Sequence, residues 1–218
     1  MVKGITKLNV QTYKKQKEKH MKKLKVKLTM VEEMLGTSSS DPCLHAEYIA
    51  SKAADAATTA EEVAALGVDE VVHKGMTIFP REDGKPFVYD YQIKGFFKDA
   101  CSALARVKTT ESSKIKAYKK IIDGLIFPQP RKIMLELPEG GTIGNCQRPL
   151  RASTAQGERI ALANSETVPE GTTLTLDILM LDEGYEKLVV EWLTYGVLKG
   201  LGQWRNSGAG RFSWEKVG

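Results

Sequence analysis

The chain has 218 residues, of which 42% are hydrophobic and 27% are charged, and its formal net charge is +5. These values are typical of a folded domain with an apolar core, so composition excludes a wholly disordered chain. No run approaches the roughly 18 apolar residues of a membrane-spanning helix, and the lysine-rich start lacks the apolar stretch of a secretory signal, so we expect a cytoplasmic protein without a membrane partner.

The first predicted element is a basic N-terminal arm over residues 1–22. Residues 1–27 carry a net charge of +9, residues 28–93 carry −8, residues 94–132 carry +7 and residues 133–218 carry −3. Clustered lysines attract phosphate backbones through counterion release, which favours a nucleic acid as the partner. A solvated tail that only aids solubility fits the same charges, so charge alone leaves both interpretations open.

The predicted core begins after this arm. Apolar and polar residues alternate over residues 24–30, which is the period of a half-buried strand. Turn-forming residues at 35–42 predict a loop. The alanine- and glutamate-rich residues 44–66 predict one or two short helices in an insertion.

The remaining elements are predicted from turn signals and apolar periods. They are a hairpin joining residues 76–79 to 86–89 through Asp83-Gly84, a helix over 91–107, a basic connector over 108–132, a strand over 133–137, a projecting hairpin over 148–163, a strand over 172–181, a helix over 185–199 and a strand over 211–217. Without the insertions, the order strand, helix, strand, strand, helix, strand predicts a ferredoxin-like (RRM-like) α+β core, a four-stranded antiparallel sheet with two helices on one face. We expect a single domain of this kind over residues 23–218, with insertions at about 36–90 and 138–170.

Four glycines near the end of the chain have a characteristic spacing. Gly200 and Gly202 are followed, after five residues, by Gly208 and Gly210, and the segment lies between a predicted helix and a predicted strand. A dinucleotide-binding loop has the opposite context, because it follows a strand and opens a helix. The segment resembles the glycine-rich loop of the repeat-associated mysterious protein (RAMP) superfamily, the RNA-binding folds of CRISPR systems.

Two further segments resemble the same superfamily. In this superfamily the first helix typically opens with a characteristic pattern. The pattern is an aliphatic residue followed by Pro-Gly-Ser-Ser, a second aliphatic residue followed by Lys-Gly, and then Arg after two further residues. Residues 89–92 depart from Pro-Gly-Ser-Ser, as in a divergent member, whereas the rest of the pattern is kept by Val88, Ile93, Lys94, Gly95 and Lys98. Leu35-Gly36-Thr-Ser-Ser resembles the Gly-Ser loop that follows the first strand.

The long insertion between the first strand and the first helix looks most like the backbone subunit of CRISPR effector complexes. The resemblance implies a subunit that polymerises head to tail along a guide RNA and contacts other subunits of an effector complex. Such heterologous contacts build helical filaments when the rotation between copies does not close. The leading hypothesis is therefore a non-catalytic, oligomeric protein that binds single-stranded RNA.

The resemblance also implies which residues hold the nucleic acid. Glycines permit close backbone approach and expose amide donors, and lysines and arginines attract phosphates, although packing alone or a solvated helix face would fit these residues too. Trp204 is a candidate for stacking on a base, or else a core aromatic under the loop. The candidate residues are Lys22, Lys23, Lys94, Gly95, Lys98, Arg148, Arg151, Arg159, Gly202, Trp204, Arg205, Gly208, Gly210 and Arg211.

Two other functions stay open. Some branches of the superfamily carry an aspartate after the Gly-Ser loop that supports metal-dependent RNA cleavage, which makes Asp41 the candidate catalytic residue of an endoribonuclease, although Ser-Asp-Pro is also a routine turn and cap sequence. The other alternative is a stand-alone phage or mobile-element protein that binds single-stranded DNA for replication, annealing or counter-defence.

Metal-ligand patterns are absent from the sequence. The cysteines are Cys43, Cys101 and Cys146, and the histidines are His20, His45 and His73. Neither set has a spacing typical of a zinc site, and an odd number of cysteines argues against a disulfide framework. We expect no cofactor, except Mg²⁺ if the protein cleaves RNA.

Overall fold

A computed structural model describes residues 21–39, 76–154 and 157–217, without side-chain detail for residues 149–162. The described part is a mixed α+β structure. Its strands are β1 (Lys22–Met30), β2 (Met34–Leu35), β3 (Ser38–Ser39), β4 (Thr77–Ile78), β5 (Arg81–Glu82), β6 (Lys85–Tyr89), β7 (Ile126–Gln129), β8 (Lys132–Met134), β9 (Gly144–Thr154), β10 (Gly157–Val168), β11 (Thr173–Met180) and β12 (Phe212–Lys216). Its α-helices are α1 (Asp90–Leu104), α2 (Tyr118–Leu125) and α3 (Glu186–Lys199).

The core lies between a four-stranded sheet and the helices. The strand order is β12-β1-β11-β7, and each neighbouring pair is antiparallel. Every second residue of β1 and β11 is buried, with Leu24 opposite Ile178 in the ladder. These side chains share one apolar cluster with Phe97 of α1 and Trp192 of α3, so the two helices cover the apolar face of the sheet.

Two smaller sheets flank this core. In one, β10 lies between β2 and β4, β3 pairs with β4, and β9 pairs with β10 along its whole length, from Gly144 opposite Thr167 to Thr154 opposite Gly157. The other has the order β5-β6-β8. The long hairpin β9–β10 is thus joined to the loop after β1 through the pairing of β10 with β2.

The prediction for the second strand of the main sheet was wrong. That place is taken by β7, inside the segment predicted as a connector, which also contains α2. The strand predicted over residues 133–137 is β8, and it pairs with β6 in another sheet. Pro128 obscures β7 in the sequence because proline is a poor strand residue, but β7 lies at the sheet edge, where a missing N–H is tolerated.

The hairpin predicted before α1 was half right. Asp83 and Gly84 have the positive φ angles of a tight hairpin turn, 49° and 78°. The turn joins β5 to β6, whereas β4, predicted as the first arm, pairs with β3 and β10 instead. The segment predicted as a loop after β1 contains β3.

Other elements agree with the predictions to within a few residues. These are β1, α1, the projecting hairpin β9–β10, β11, α3 and β12. The basic arm before residue 21 and the helices predicted over residues 44–66 lie outside the described residues. None of the described helices is long and apolar enough to cross a membrane.

Candidate nucleic-acid interface

The three segments singled out in the sequence border one cleft of about 270 Å³. The loop after β1 contributes one side, the first two turns of α1 form the second, and the start of the glycine-rich loop forms the third. The lining residues are Thr37, Tyr91, Gln92, Gly95, Phe96, Leu201, Gly202 and Arg205. Segments far apart in the chain therefore meet at one place.

The start of α1 is tied to the loop after β1 by Gln92. The backbone N–H of Tyr89 donates to Gln92 Oε1 at 3.0 Å, which caps the first turn of the helix. The amide nitrogen Nε2 of Gln92 donates to the hydroxyl of Thr37. Gln92 belongs to the tetrapeptide that departs from Pro-Gly-Ser-Ser, so this departure builds one wall of the cleft from a side-chain bridge.

Gly95 leaves an open space on the α1 wall. It is exposed, and a Cβ added there would have no heavy atom of the described residues within 4 Å, apart from its own helix turn and chain neighbours. Glycine inside a helix is less favourable than alanine by roughly 0.5–1 kcal/mol. Packing among the described residues therefore does not require glycine at position 95.

The glycine-rich loop, in contrast, is closely packed. Its four glycines have positive φ angles between 72° and 99°. A Cβ at Gly210 would lie 1.8 Å from the carbonyl oxygen of Leu201, and one at Gly202 would lie 2.5 Å from that of Leu35. The N–H of Gly210 donates to Glu33 O at 2.8 Å and that of Gly208 donates to Arg205 O at 3.1 Å, so these two amides are already engaged within the chain.

Two arginines of this loop lie at its surface. Arg205 lines the cleft, and its Nη1 lies 2.9 Å from Asp99 Oδ2 on α1. Arg211 is exposed, and its guanidinium packs beside Gly208, where an added Cβ would lie 3.4 Å from the Arg211 Cζ.

The two lysines of α1 point away from the cleft lining, toward α2 and β7. Lys94 Nζ donates to the carbonyl oxygen of Asp123 at 3.2 Å and lies 4.5 Å from the ring centre of Phe127. Burial lowers the pKa of Lys94, with nearby acids partly opposing that effect. Lys98 Nζ lies 2.6 Å from Asp123 Oδ1. Neither ammonium group is aimed into the cleft.

The other two lysines on the candidate list lie at the start of β1. Lys22 Nζ is 3.4 Å from Glu186 Oε2, and Lys23 Nζ is 2.9 Å from Asp177 Oδ2. Half-exposed ion pairs of this kind contribute about 0–1 kcal/mol each.

Arg148 is buried at the base of the hairpin. It is only 7% exposed, and it donates from Nη1 to Ser165 Oγ at 3.0 Å and from Nη2 to Gln203 Oε1 at 2.8 Å. Its Cζ lies 5.5 Å from the ring centre of Trp204. Trp204 is 47% exposed, so it covers Arg148 at the surface and is not a core aromatic under the loop.

Three further candidates have no described side chain. The backbones of Arg151 and Arg159 lie in β9 and β10, and Asp41 is outside the described residues. Within the part of the chain that the structure describes, no group of three or more His, Cys, Asp or Glu residues could hold a metal ion. The sequence-based prediction did not include Gln92, which bridges α1 to Thr37, or Gln203, which accepts from Arg148. Their position inside the first-helix segment and the glycine-rich loop was the only sequence signal for them.

Comparison with known proteins finds no matching protein-family model and no matching curated protein sequence. A chain from the cryo-EM structure of the Type III-B Cmr-beta complex bound to cognate target RNA is similar in structure, with a TM-score of 0.48 and 14% sequence identity. The match covers 99% of this chain and 68% of the other. A likeness this remote carries no functional argument for this chain.

Proposed function

We propose that this chain binds single-stranded nucleic acid, with RNA as the preferred ligand, in the cleft between α1 and the glycine-rich loop. The observation that carries the proposal is the meeting of three segments that each resemble a RAMP motif. Thr37, Gly95 and Gly202, one from each segment, line the same cleft. Segments that resembled the three motifs by chance would have no functional reason to line one cleft.

We further propose that the main sheet and its helices form a ferredoxin-like core. Numbering the four strands along the chain as β1, β7, β11 and β12, their order in the sheet is fourth, first, third, second. α1 precedes the second of these strands and α3 precedes the fourth. This order and the antiparallel pairing support the proposed core, to which β9–β10 and the small sheets are additions.

The cleft has the properties that a phosphodiester strand needs. Gly95 leaves room for close approach to α1, and Arg205 supplies a positive charge at the opposite wall. Lys98 lies on the same helix, outside the cleft lining, and its half-exposed pair with Asp123 is weak enough to be exchanged for a phosphate of a strand that continues past the cleft along α1. Binding that depends on such exchanges weakens as salt rises.

The direct test is a fluorescence anisotropy titration with end-labelled oligouridylate, oligothymidylate and an RNA duplex. We expect binding of the single strands at low salt, tighter for RNA, and weaker binding of the duplex. Gly95→Leu fills the cleft and should weaken binding about tenfold, which corresponds to ~1.4 kcal/mol. Gly124→Leu is the matched control, because Gly124 also lies in a helix with open space at its Cβ but does not line the cleft.

Two results would contradict the proposal. One is no detectable binding of any single strand at low salt. The other is an equal effect of Gly95→Leu and Gly124→Leu, since the cleft would then not be the site. Tighter binding of DNA would instead favour the stand-alone single-strand DNA-binding alternative.

We also propose that the protein assembles head to tail along its ligand, as the backbone subunit of an effector complex does. Light scattering after size-exclusion chromatography should then show a mass that rises in whole protomers with oligonucleotide length. A single protomer on every length would reject this assembly.

The endoribonuclease alternative is tested in the same samples. RNA incubated with the protein and Mg²⁺ should remain intact if the protein only binds. Cleavage that Asp41→Ala abolishes would establish the enzyme instead, with Mg²⁺ as its cofactor.

A further inference from the structure

We propose that Trp204 is a base-stacking platform next to the cleft, so that the strand leaves the cleft over this ring and continues toward the base of the hairpin. The inference rests on the proposed function and extends it from phosphate binding to recognition of an unpaired base. Trp204 lies between two residues of the cleft lining, Gly202 and Arg205. Its partner Arg148 belongs to β9, which sets the direction of the path.

Exposure of the indole is the first observation. Trp204 is 47% exposed, whereas Trp192 is fully buried. The ring lies over the guanidinium of Arg148, whose Cζ is 5.5 Å from the ring centre. An exposed tryptophan held by a fixed group beneath it can stack on a base with little loss of its own freedom.

The backbone of Trp204 adopts an unfavourable conformation, which is the second observation. Its φ and ψ angles are 56° and 29°, in the left-handed region that bulky residues rarely adopt. Glycine would fit this position without that penalty, and glycines already flank it at Gly202 and Gly208. A large aromatic side chain in an unfavourable backbone conformation at the surface is typical of functional positions.

The charge beneath the ring is the third observation. Arg148 is 7% exposed, and its two hydrogen-bond acceptors, Ser165 Oγ and Gln203 Oε1, are neutral. None of the salt bridges among the described residues involves Arg148, so within this part of the chain its positive charge is buried without an acidic partner. The two hydrogen bonds and the indole ring hold this charge in place, and it attracts the phosphates on either side of a stacked base.

A purely structural role for Trp204 makes a different prediction. If the indole only shields Arg148 from water, any large apolar side chain would serve, and the bases of the ligand would be irrelevant. If it stacks on a base, the aromatic plane is required and only ligands with bases respond. These two roles separate cleanly in a binding experiment.

The experiment compares a short oligouridylate with an abasic ribose-phosphate oligomer of equal length, by anisotropy at fixed salt. Trp204→Leu should weaken binding of oligouridylate by about tenfold or more and that of the abasic oligomer by less than about twofold. Trp204→Phe keeps an aromatic plane and should retain most of the affinity. Trp214→Leu, a change at a partly exposed tryptophan on β12, is the matched control and should alter neither affinity.

The outcomes distinguish this inference from the proposed function. If Trp204→Leu weakens binding of both oligomers equally, or if Trp204→Leu and Trp204→Phe behave alike, the stacking role is overturned while nucleic-acid binding stands. If the unmodified protein binds neither oligomer, the proposed function itself fails. Thermal unfolding of each variant must stay close to that of the unmodified protein, so that a change in affinity reflects the ring.

Discussion

The ring of Phe212 on β12 rests directly against Gly196 of α3. A Cβ at position 196 would lie 2.0 Å from Phe212 Cζ, well inside van der Waals contact. Phe212 is fully buried, and its ring also packs edge-on against Phe96 at 5.4 Å between centroids. The absence of a side chain at Gly196 therefore sets how closely α3 approaches the last strand.

Gly196→Ala should destabilise the fold by about 1–3 kcal/mol, because the added methyl group forces Phe212 or α3 to move. The higher helix propensity of alanine, worth up to about 1 kcal/mol, offsets only part of this. Urea unfolding followed by circular dichroism measures the change. Gly124→Ala is the control and should leave the free energy of unfolding unchanged or raise it, since its Cβ position is open. An equal effect of the two substitutions would show that Phe212 does not constrain position 196.

Glu191→Gln should also destabilise the protein. The Glu191 carboxylate accepts from the backbone N–H groups of Glu111 and Ser112, at 2.8 and 3.0 Å, and from Ser112 Oγ at 2.5 Å. A glutamine would point an NH₂ donor at one of these donors, which costs about 1–3 kcal/mol by leaving a buried group unpaired.

The measurement for this variant is again urea unfolding, with Glu186→Gln as the matched control. Glu186 forms surface pairs with Lys22 and Lys216, so its replacement should change stability by less than about 0.5 kcal/mol. A Glu191→Gln variant as stable as this control would show that the bonds to residues 111 and 112 contribute little.

Asp123→Asn should strengthen nucleic-acid binding at low salt. Asp123 pairs with Lys98, and its removal frees that ammonium group for a phosphate. For single strands, each added phosphate contact steepens the plot of log K against log salt by about 0.7. Titrations at several salt concentrations measure this slope. Glu111→Gln, which removes an exposed pair with Lys114 elsewhere, should leave the slope unchanged. A slope unaffected by Asp123→Asn would remove Lys98 from the interface.

The two described cysteines should differ in reactivity. Burial raises the pKa of the Cys101 thiol, which is fully buried, whereas Cys146 is half-buried. In a Cys43→Ser background at mildly alkaline pH, a thiol reagent should modify Cys146 in the native protein and Cys101 only after denaturation. Equally fast modification of both thiols in native protein would contradict the buried placement of Cys101.

The raised pKa of Cys101 makes the free energy of unfolding depend on pH in the alkaline range. Because the folded state raises the pKa of Cys101, its protonated form favours folding, and this contribution is complete below the ordinary thiol pKa of about 8.5. It should be lost as pH rises through the pKa of the folded thiol. Cys101→Ala should flatten the alkaline part of the curve of unfolding free energy against pH.

Elements with a strong local signal were predicted correctly from the sequence. The alternation in β1 and β11 and the turn residues Asp83 and Gly84 act over a few residues, so they are visible without tertiary context. β7 and β8 are short and are separated by Pro130, and their sheets are decided by partners far along the chain. A residue pattern three or four positions long cannot specify which sheet a strand joins.

In the candidate site too, features with a local sequence signal were predicted and features that depend on tertiary docking were not. Glycine spacing and Lys94-Gly95 pointed to the segments that border the cleft, because such patterns are local. The ion pairs of Lys98 with Asp123 and Arg205 with Asp99 depend on how the elements dock, so the sequence did not reveal that these cations already have acidic neighbours. The bridge from Gln92 to Thr37 likewise exists only once α1 meets the loop after β1.

Close packing alone accounts for glycines of the glycine-rich loop. The glycines therefore indicate the shape of the loop and not the chemistry of its ligand. Gly202 and Gly210 are required by contacts with Leu35 and Leu201, so a protein that needs only this loop shape would keep the same glycines. In the function proposed here, affinity and ligand choice depend on the residues between the two glycine pairs, where Trp204 and Arg205 lie. Relatives should therefore be grouped by ligand according to those five intervening residues, and by fold according to the glycines.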